Sequence, residues 1–218
     1  MDILVIDIGG ISVKLHATRE TSCSFPTPPA MTPQQMVQSI SELTADWRFD
    51  HVSIGFPGPV RRDKPLREPV NLGPGWVDFD FQEAFGCPAR MINDAAMQAL
   101  GSYRSGIMLF LGLGTGLGTA LIQDEHIVPM EIAHLPFRDN KTFEQLLGNS
   151  GLESLGTTRW KERVLETIDL FTYVLCPEYI VLGGGNAQRF SVGESPEHVS
   201  IGHNDDASSG GMRLWDEQ

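Results

Sequence analysis

The 218-residue chain has few cysteines, and their positions argue against a fold built on disulfides. Cys23, Cys87 and Cys176 are an odd, widely spaced set, and no two of them form a Cys-x-x-Cys pair. Such a set is typical of a reducing compartment rather than of a disulfide framework. It also gives no support to a cysteine-based zinc site, so we expect no structural zinc.

Positive charge is also scarce. The chain has 16 Lys and Arg residues against 28 Asp and Glu residues, which gives a formal net charge of −12. Because nucleic-acid backbones require clustered cations, this balance argues against a nucleic-acid partner. One local basic group does occur, at Arg61, Arg62, Lys64 and Arg67.

A long apolar run is absent as well. No segment approaches the roughly 20 apolar residues that a transmembrane helix needs. The opening segment, MDILVIDIGG, has an acidic residue at position 2 and no basic region, which is unlike a signal peptide. We therefore expect a cytoplasmic protein with no membrane partner.

Strand and helix signals alternate along the chain. Short apolar runs predict strands over 3–7, 12–18, 51–56, 89–92, 107–112, 119–123 and 179–185. Helical patterns begin at Pro33 and extend over 94–104 and 158–175. This order predicts an α/β fold class. A shift near Gly106 divides the chain into predicted lobes of residues 1–106 and 107–218, with the last helix expected to pack back on the first lobe.

The helix that begins at Pro33 has clear local signals. Thr32 suits the N-cap position, Pro33 suits the first helical position, and Gln35 completes a capping box. A core-facing stripe is predicted for the apolar residues that recur at helical spacing, which are Met36, Ile40, Leu43 and Trp47.

Three glycine-rich segments follow apolar strands: Asp7-Ile8-Gly9-Gly10, Gly112 to Gly118, and Gly183-Gly184-Gly185. Glycine lets a phosphate approach backbone N–H groups without a Cβ in the way. Asp7 can position a Mg²⁺ ion on such a phosphate, through water. The alternative is that these segments are plain turns. The middle segment, LGLGTGLG, does not indicate a dinucleotide site, because a strand rather than a helix follows it.

Polar residues that suit catalysis stand between these segments. Asn93-Asp94 marks the change from a strand to a helix, where Asp94 can serve as a general base or one of the two can cap the helix. Glu131 and His134 offer an acceptor and a neutral donor or acceptor on one side of a helical turn, which suits a polyhydroxylated substrate. A structural histidine is the alternative, and no third ligand for a metal is evident.

Taken in order, these segments resemble the ROK family of sugar kinases, in particular its polyphosphate-glucokinase-like branch. The likeness extends over nearly the whole chain. The matching segments are DIGGISVK, GFPGPV, NLGPGW, INDAAMQALG, LGLGTGLGTALI, EIAHLPF and IVLGGG. The resemblance implies a two-lobed, actin-like (ribonuclease H-like) α/β fold with the active site in the interlobe cleft. It also implies phosphoryl transfer from ATP or inorganic polyphosphate to the 6-hydroxyl of a hexose, with glucose as the expected sugar, and a homodimer.

The resemblance also implies roles for residues. Asp94 would be the general base, and Asp7 would support Mg²⁺. The sugar would be held by Asn71, Asn93, Glu131 and His134. The donor phosphates and nucleotide would be held by Gly9, Gly10, Ser12, Lys14, Gly114, Thr115, Gly116, Gly183, Gly184 and Gly185. A polyphosphate donor would need a cationic track, for which the candidates are Arg61, Arg62, Lys64, Arg67, Arg159, Lys161 and Arg163; solvated surface charge is the alternative.

Three departures from the family pattern leave a second function open. Ile11 replaces the usual Thr after DIGG, so a phosphate-binding hydroxyl is missing unless Ser12 substitutes. Ala133 replaces the Gly before His134, and the cysteine-rich zinc segment is absent together with its sugar-binding Glu. The alternative is therefore a sugar-binding sensor that has lost catalysis. A ROK-type repressor is disfavoured because no helix-turn-helix segment precedes the first strand.

Overall fold

The computed structural model describes residues 1–18, 22–28, 30–191, 193–203 and 205–216. Contacts divide the chain into two compact units, Met1–Met97 with Ala207–Gln218, and Gln98–Asp206. This division falls before the boundary predicted at residue 106, because Gly101 packs directly on the backbone of Asp206 in the second unit.

Among its described residues, the first unit contains seven strands, two complete helices and the beginning of a third. Its strands are β1 (Ile3–Ile8), β2 (Ser12–Ala17), β3 (Cys23–Pro26), β4 (His51–Phe56), β5 (Val60–Arg61), β6 (Lys64–Pro65) and β7 (Ala89–Asn93). Its helices are α1 (Pro33–Leu43), α2 (Phe81–Phe85) and α3 (Asp94–Ser102), the last of which continues into the second unit.

The part of the second unit that the structure describes contains another seven strands. They are β8 (Ile107–Leu113), β9 (Leu117–Gln123), β10 (His126–Met130), β11 (Pro136–Arg138), β12 (Lys141–Thr142), β13 (Tyr179–Gly183) and β14 (Val199–Ile201). The remaining helices are α4 (Phe143–Leu147), α5 (Asn149–Leu175) and α6 (Asp206–Arg213), which leads back into the first unit.

The two units repeat one sheet topology. The strand order is β3-β2-β1-β4-β7 in the first unit and β10-β9-β8-β13-β14 in the second. In each sheet the first three strands are antiparallel, and the last two run parallel to the central strand. The predicted α/β class is therefore correct, and each unit has one edge at which three parallel strands end.

The core of the first unit confirms most of the predicted α1 pattern. Thr32 and Gln35 form the capping box, and Met36 and Ile40 are fully buried. Leu43 is 46% exposed, however. It is the last residue of the helix, where the apolar face of α1 turns away from the sheet. Its predicted core position is wrong.

The core of the second unit lies between its sheet and α5. Trp160 and Ile168 of this helix are fully buried against the strands, and the Trp160 indole N–H donates to the Leu147 carbonyl at 2.9 Å. The helix is interrupted at Gly156, which has a φ of 74° that favours glycine. The predicted helix of 158–175 is the part that follows this break.

Local signals miss the short paired segments. β3 lies in a stretch that reads as a loop, because its Ser and Pro residues are poor strand formers and only pairing with β2 makes it a strand.

Among the described residues, no helix is long and apolar enough to cross a membrane.

Candidate active site

Strands β1, β4 and β7 bring three predicted segments to one edge of the first sheet. The three strands are parallel neighbours, with Asp7 opposite Gly55 and Phe56 opposite Asn93. Ligands of α/β sheets bind outside the carboxyl ends of such strands. The glycine turn after Asp7 and the Asn93-Asp94 pair therefore lie at the edge where a ligand is expected.

Asn93, and not Asp94, caps helix α3. The Asn93 Oδ1 accepts the Ala96 N–H at 3.1 Å, and the Asn93 amide donates to the Gly58 carbonyl at 3.2 Å. Asp94 is the first helical residue, and its Oδ1 accepts the N–H of Ala95 at 2.8 Å. A helix N-terminus favours the negative charge of a carboxylate. The carboxylate of Asp94 is thus oriented at the sheet edge and is not the helix cap.

The first glycine turn joins β1 and β2 as predicted. The Gly9 N–H donates to the Ser12 carbonyl at 3.0 Å, and a Cβ on Gly9 would lie 2.9 Å from that same oxygen. The next residues expose their side chains, and Ile11 is 77% exposed. An apolar side chain at this exposed position brings no hydroxyl to the turn.

Asp7 is a buried carboxylate with one cation beside it. The residue is 8% exposed, and its Oδ2 lies 3.9 Å from the Nζ of Lys14. Burial raises the pKa of the Asp7 carboxyl above its usual value, and the Lys14 charge opposes this in part. The described residues contain no group of three or more His, Cys, Asp or Glu side chains that could hold a metal ion, so a Mg²⁺ ion here would keep mostly water and phosphate ligands.

The loop that carries Asn71 is held by backbone contacts. The Gly73 N–H donates to the Met31 carbonyl at 2.9 Å, and a Cβ on Gly73 would lie 2.2 Å from the Ala30 oxygen. The Glu68 carboxylate accepts the Trp76 N–H at 3.1 Å. This bond, with weaker ones from Gly75 and Val77, lowers the pKa of Glu68. Asn71 itself is exposed on the turn.

The second glycine hairpin is tied to the start of α5 through its carbonyl groups. The Asn149 N–H lies 3.1 Å from the Gly114 oxygen and 3.3 Å from the Thr115 oxygen. In a planar trans peptide the N–H points opposite to the C=O. The N–H groups of Thr115 and Gly116 are therefore directed away from α5, as an anion-binding turn requires.

The triple glycine lies beside this hairpin. Gly183 pairs with Gly112 across the parallel strands β13 and β8. Gly184 has a φ of 77°, and a Cβ there would lie 2.4 Å from the Leu113 oxygen, so only glycine fits. The buried Asn186 that follows donates to Asn149 Oδ1 at 2.7 Å. Local sequence signals do not reveal this amide pair.

Glu131 and His134 lie together as predicted, and a third residue joins them. The Nε2 of His134 is 3.9 Å from Glu131 Oε2, and its Nδ1 is 3.6 Å from Glu144 Oε2. Glu144 also contacts the second glycine hairpin, since its Oε1 lies 3.0 Å from the position of a Cβ on Gly116. The intervening Ala133 is buried in the core of the second unit.

Glu144 is a residue that sequence reasoning missed. A usable signal exists, because Thr142 and Gln145 form a capping box that starts α4 and places Glu144 in its first turn.

The proposed cationic track is only partly available. Arg163 pairs with Glu166, and Lys161 pairs with Glu194 at 2.6 Å. Arg61, Arg62, Lys64 and Arg67 are exposed around the β5–β6 hairpin. The charges on α5 thus behave as ordinary surface ion pairs.

The chain is similar to known proteins in sequence and in fold. The model of the ROK family matches residues 3–130. A polyphosphate glucokinase of Mycobacterium leprae is 24% identical in an alignment of 207 positions that covers 84% of this chain and 63% of that protein. The chain therefore spans less than two thirds of the length of this relative.

Two solved structures share the fold. The inorganic polyphosphate/ATP-glucomannokinase of Arthrobacter sp. strain KM superposes with a TM-score of 0.80 at 23% identity, covering 96% of both chains. A ROK family glucokinase of Streptomyces griseus, in complex with glucose and AMPPNP, superposes with a TM-score of 0.77 at 16% identity, covering 98% of this chain and 99% of that one. These likenesses confirm the predicted actin-like α/β fold class.

Proposed function

Because the chain belongs to the ROK family, we propose that it is a sugar kinase that transfers a phosphoryl group to the 6-hydroxyl of a hexose. The observation that carries the proposal is the arrangement at Asn93-Asp94. The cap of α3 is Asn93, so the adjacent carboxylate is an oriented acid at the carboxyl edge of the sheet rather than a structural cap. An acid at this edge, beside a glycine turn, suits proton removal from a hydroxyl.

Asp94 acts as the general base in this proposal. Its carboxylate accepts the proton of the sugar hydroxyl while the hydroxyl oxygen forms a bond to the terminal phosphorus of the donor. The bond from that phosphorus to the bridging oxygen breaks, and the shortened donor leaves. Proton transfer of this kind contributes about 10²–10⁴-fold, and positioning and charge neutralisation supply the rest of the acceleration.

The two glycine turns hold the donor phosphates. In the first unit Gly10 and Ser12 do so beside Gly9, whose own N–H bonds to Ser12 and whose role is to leave space without a Cβ, with Lys14 as a nearby cation. In the second unit Gly114, Thr115 and Gly116 are the corresponding residues. The outward direction of the Thr115 and Gly116 N–H groups supports this role. Gly183, Gly184 and Gly185 adjoin the hairpin and suit the rest of the donor. Mg²⁺, when bound near Asp7, supplies charge neutralisation on the phosphates.

Polar side chains hold the sugar. Asn71, Asn93, Glu131 and His134 take this role, and the contact of Glu144 with His134 adds it to the set. Glu144 also packs against Gly116 of the donor hairpin. In the second unit, this one residue therefore contacts both the residues proposed to hold the sugar and those proposed to hold the phosphates. Such fixed acceptors and donors suit a polyhydroxylated ligand.

Glucose is the proposed sugar, and polyphosphate, ATP or both are the proposed donors. The relatives named above, a polyphosphate glucokinase and a polyphosphate/ATP-glucomannokinase, support this choice. The test is a matrix of glucose, mannose and N-acetylglucosamine against ATP and polyphosphate, read as phosphorylated sugar. The absence of product in every combination would contradict the kinase proposal. Light scattering of the same sample tests the expected homodimer.

A sensor that binds sugar without catalysis is the second candidate. The exposed Ile11 favours it, because the first donor turn lacks a hydroxyl at that position. Calorimetric binding of a sugar, with no turnover on either donor, would establish the sensor. Turnover at rates ordinary for kinases would rule out the sensor hypothesis.

A further inference from the structure

Thr27 binds the first donor turn at two points. This residue follows β3, and its N–H donates to the Ile11 carbonyl at 2.9 Å. Its hydroxyl donates to the Gly9 carbonyl at 2.8 Å. One residue therefore holds the carbonyl groups on both sides of Gly10, although no motif of the family resemblance includes it.

The hydroxyl of Thr27 donates to the Gly9 carbonyl, which would otherwise accept the Ser12 N–H and close the turn. In a closed two-residue hairpin, the residues that flank the loop exchange two backbone bonds. Here the Gly9 N–H donates to Ser12 at 3.0 Å, but the reciprocal bond from Ser12 to Gly9 is absent between these two described residues. The Gly9 oxygen accepts the Thr27 hydroxyl instead.

The directions of the peptide groups follow from these bonds. Because the N–H and C=O of a trans peptide point in opposite directions, the N–H groups of Gly10 and Ser12 are directed away from Thr27. Ile11 is 77% exposed and offers no hydroxyl to an anion, so the backbone N–H groups carry a larger share of the contacts at this turn. The orientation of those groups then decides how well the turn holds a phosphate.

We propose that Thr27 is a positioning residue for the phosphoryl donor, whose hydroxyl keeps the turn open so that the N–H groups of Gly10 and Ser12 face the phosphate. The proposal rests on the kinase function proposed above and extends it to a residue outside the ROK motifs. Thr27 acts on the donor through the turn and does not touch the sugar. Its loss should therefore change the affinity for the donor alone.

The kinetic test compares Thr27→Val with Thr27→Ser. Valine keeps the branched shape and the backbone N–H but removes the hydroxyl, so the KM for the donor should rise about two- to twelvefold, which is the usual range for one hydrogen bond. The KM for the sugar should stay unchanged, and Thr27→Ser should restore the donor KM. Ser24→Ala, at an exposed position of β3, is the control for loss of a hydroxyl from the same strand. Equal changes in both KM values, or no recovery with serine, would overturn the proposal.

A second measurement is independent of activity. Amide hydrogen exchange by NMR reports whether the Ser12 N–H is bonded, and in Thr27→Val this proton should close onto the Gly9 oxygen and exchange more slowly than in the wild type. Tripolyphosphate should shift the Gly10 and Ser12 amide signals of the wild type and shift them less in the valine variant. If the wild type phosphorylates no sugar, the kinase function fails while exchange at Ser12 still decides the role of Thr27. Identical exchange at Ser12 in both proteins would refute the positioning role, whatever the activity.

Discussion

The Ala96 N–H donates to Asn93 Oδ1 at 3.1 Å. This bond identifies Asn93 as the helix cap, whereas the sequence leaves open whether Asn93 or Asp94 has that role. An N-cap and a general base make different demands on a side chain, since the first must face its own helix and the second must face a substrate. Asn93 meets the first demand, and we propose that Asp94 meets the second.

Asp94→Asn should therefore remove activity without unfolding the protein. We expect kcat to fall by about 10²–10⁴-fold, because the amide cannot accept the hydroxyl proton. The melting temperature should change little, because the cap is intact. Asn93→Ala is the matched comparison and should lower the free energy of unfolding by about 1 kcal/mol. Full activity in Asp94→Asn would show that the base is another group.

Glu144→Gln should weaken sugar binding more than donor binding. The carboxylate lies 3.6 Å from the Nδ1 of His134, and a partly exposed ion pair contributes about 0–1 kcal/mol, so the KM for the sugar should rise by up to about fivefold. The donor KM should change less. Steady-state kinetics on both substrates measures the difference, and Glu153→Gln, at an exposed position of α5, is the control. Equal effects of the two substitutions would contradict a role for Glu144.

The amide pair of Asn149 and Asn186 should stabilise the donor hairpin. Their side chains are joined at 2.7 Å in a largely buried site, so Asn186→Ala should cost about 1–3 kcal/mol of unfolding free energy by leaving Asn149 unsatisfied. Asn149→Ala should have a similar cost, and the double variant should cost less than the sum of the two. Denaturant unfolding of the four proteins measures the coupling, and strict additivity would argue against the pair. The donor KM should rise in each variant while the sugar KM stays constant.

Protonation of Glu68 should loosen the loop that carries Asn71. The N–H of Trp76, and to a lesser extent those of Gly75 and Val77, hold the pKa of Glu68 below its usual 4.5. A group whose pKa is lowered by folding stabilises the protein above its unfolded pKa, and this stabilisation is lost as the pH falls through the lower folded value. Glu68→Gln should therefore melt at a lower temperature than the wild type at neutral pH.

The difference between these two proteins should shrink as the pH falls below about 4.5, where the wild-type carboxyl also becomes neutral. Melting curves from pH 3 to pH 7 on both proteins provide the measurement. A difference that is independent of pH would show that the charge of Glu68 does not hold the loop. Asp78→Asn, at an exposed position beyond the same loop, is the control for loss of one carboxylate.

Local signals predicted many of the elements correctly. The capping box of Thr32 and Gln35 starts α1 where expected, and the glycine runs after β1 and β8 form hairpins. These features depend on residues within four positions of one another, so a single sequence contains them. Strand β3 was missed because its order comes from pairing with β2, and not from the propensity of its own residues.

The contacts that complete the candidate site join distant parts of the chain. Thr27 reaches Gly9 across 18 positions, and Asn186 reaches Asn149 across 37. Glu144 meets His134 only because α4 folds back beside the short helical turn before it. Neither Thr27 nor Asn186 has a local signal in its sequence, and for Glu144 the capping box of Thr142 and Gln145 indicates only its place in the first turn of α4.

The sequence by itself determined the α/β class and the kinds of group that are present: an acid after a strand, three glycine turns, and a Glu-His pair. Composition and short-range patterns carry that information, because backbone freedom and strand formation are local properties. Only the tertiary structure decided that Asn93 is the cap, that Glu144 lies beside His134, and that Thr27 bonds to Gly9 and Ile11 in the first glycine turn. Those decisions depend on the directions of N–H and C=O groups and on contacts between distant segments, which exist only after the chain has folded.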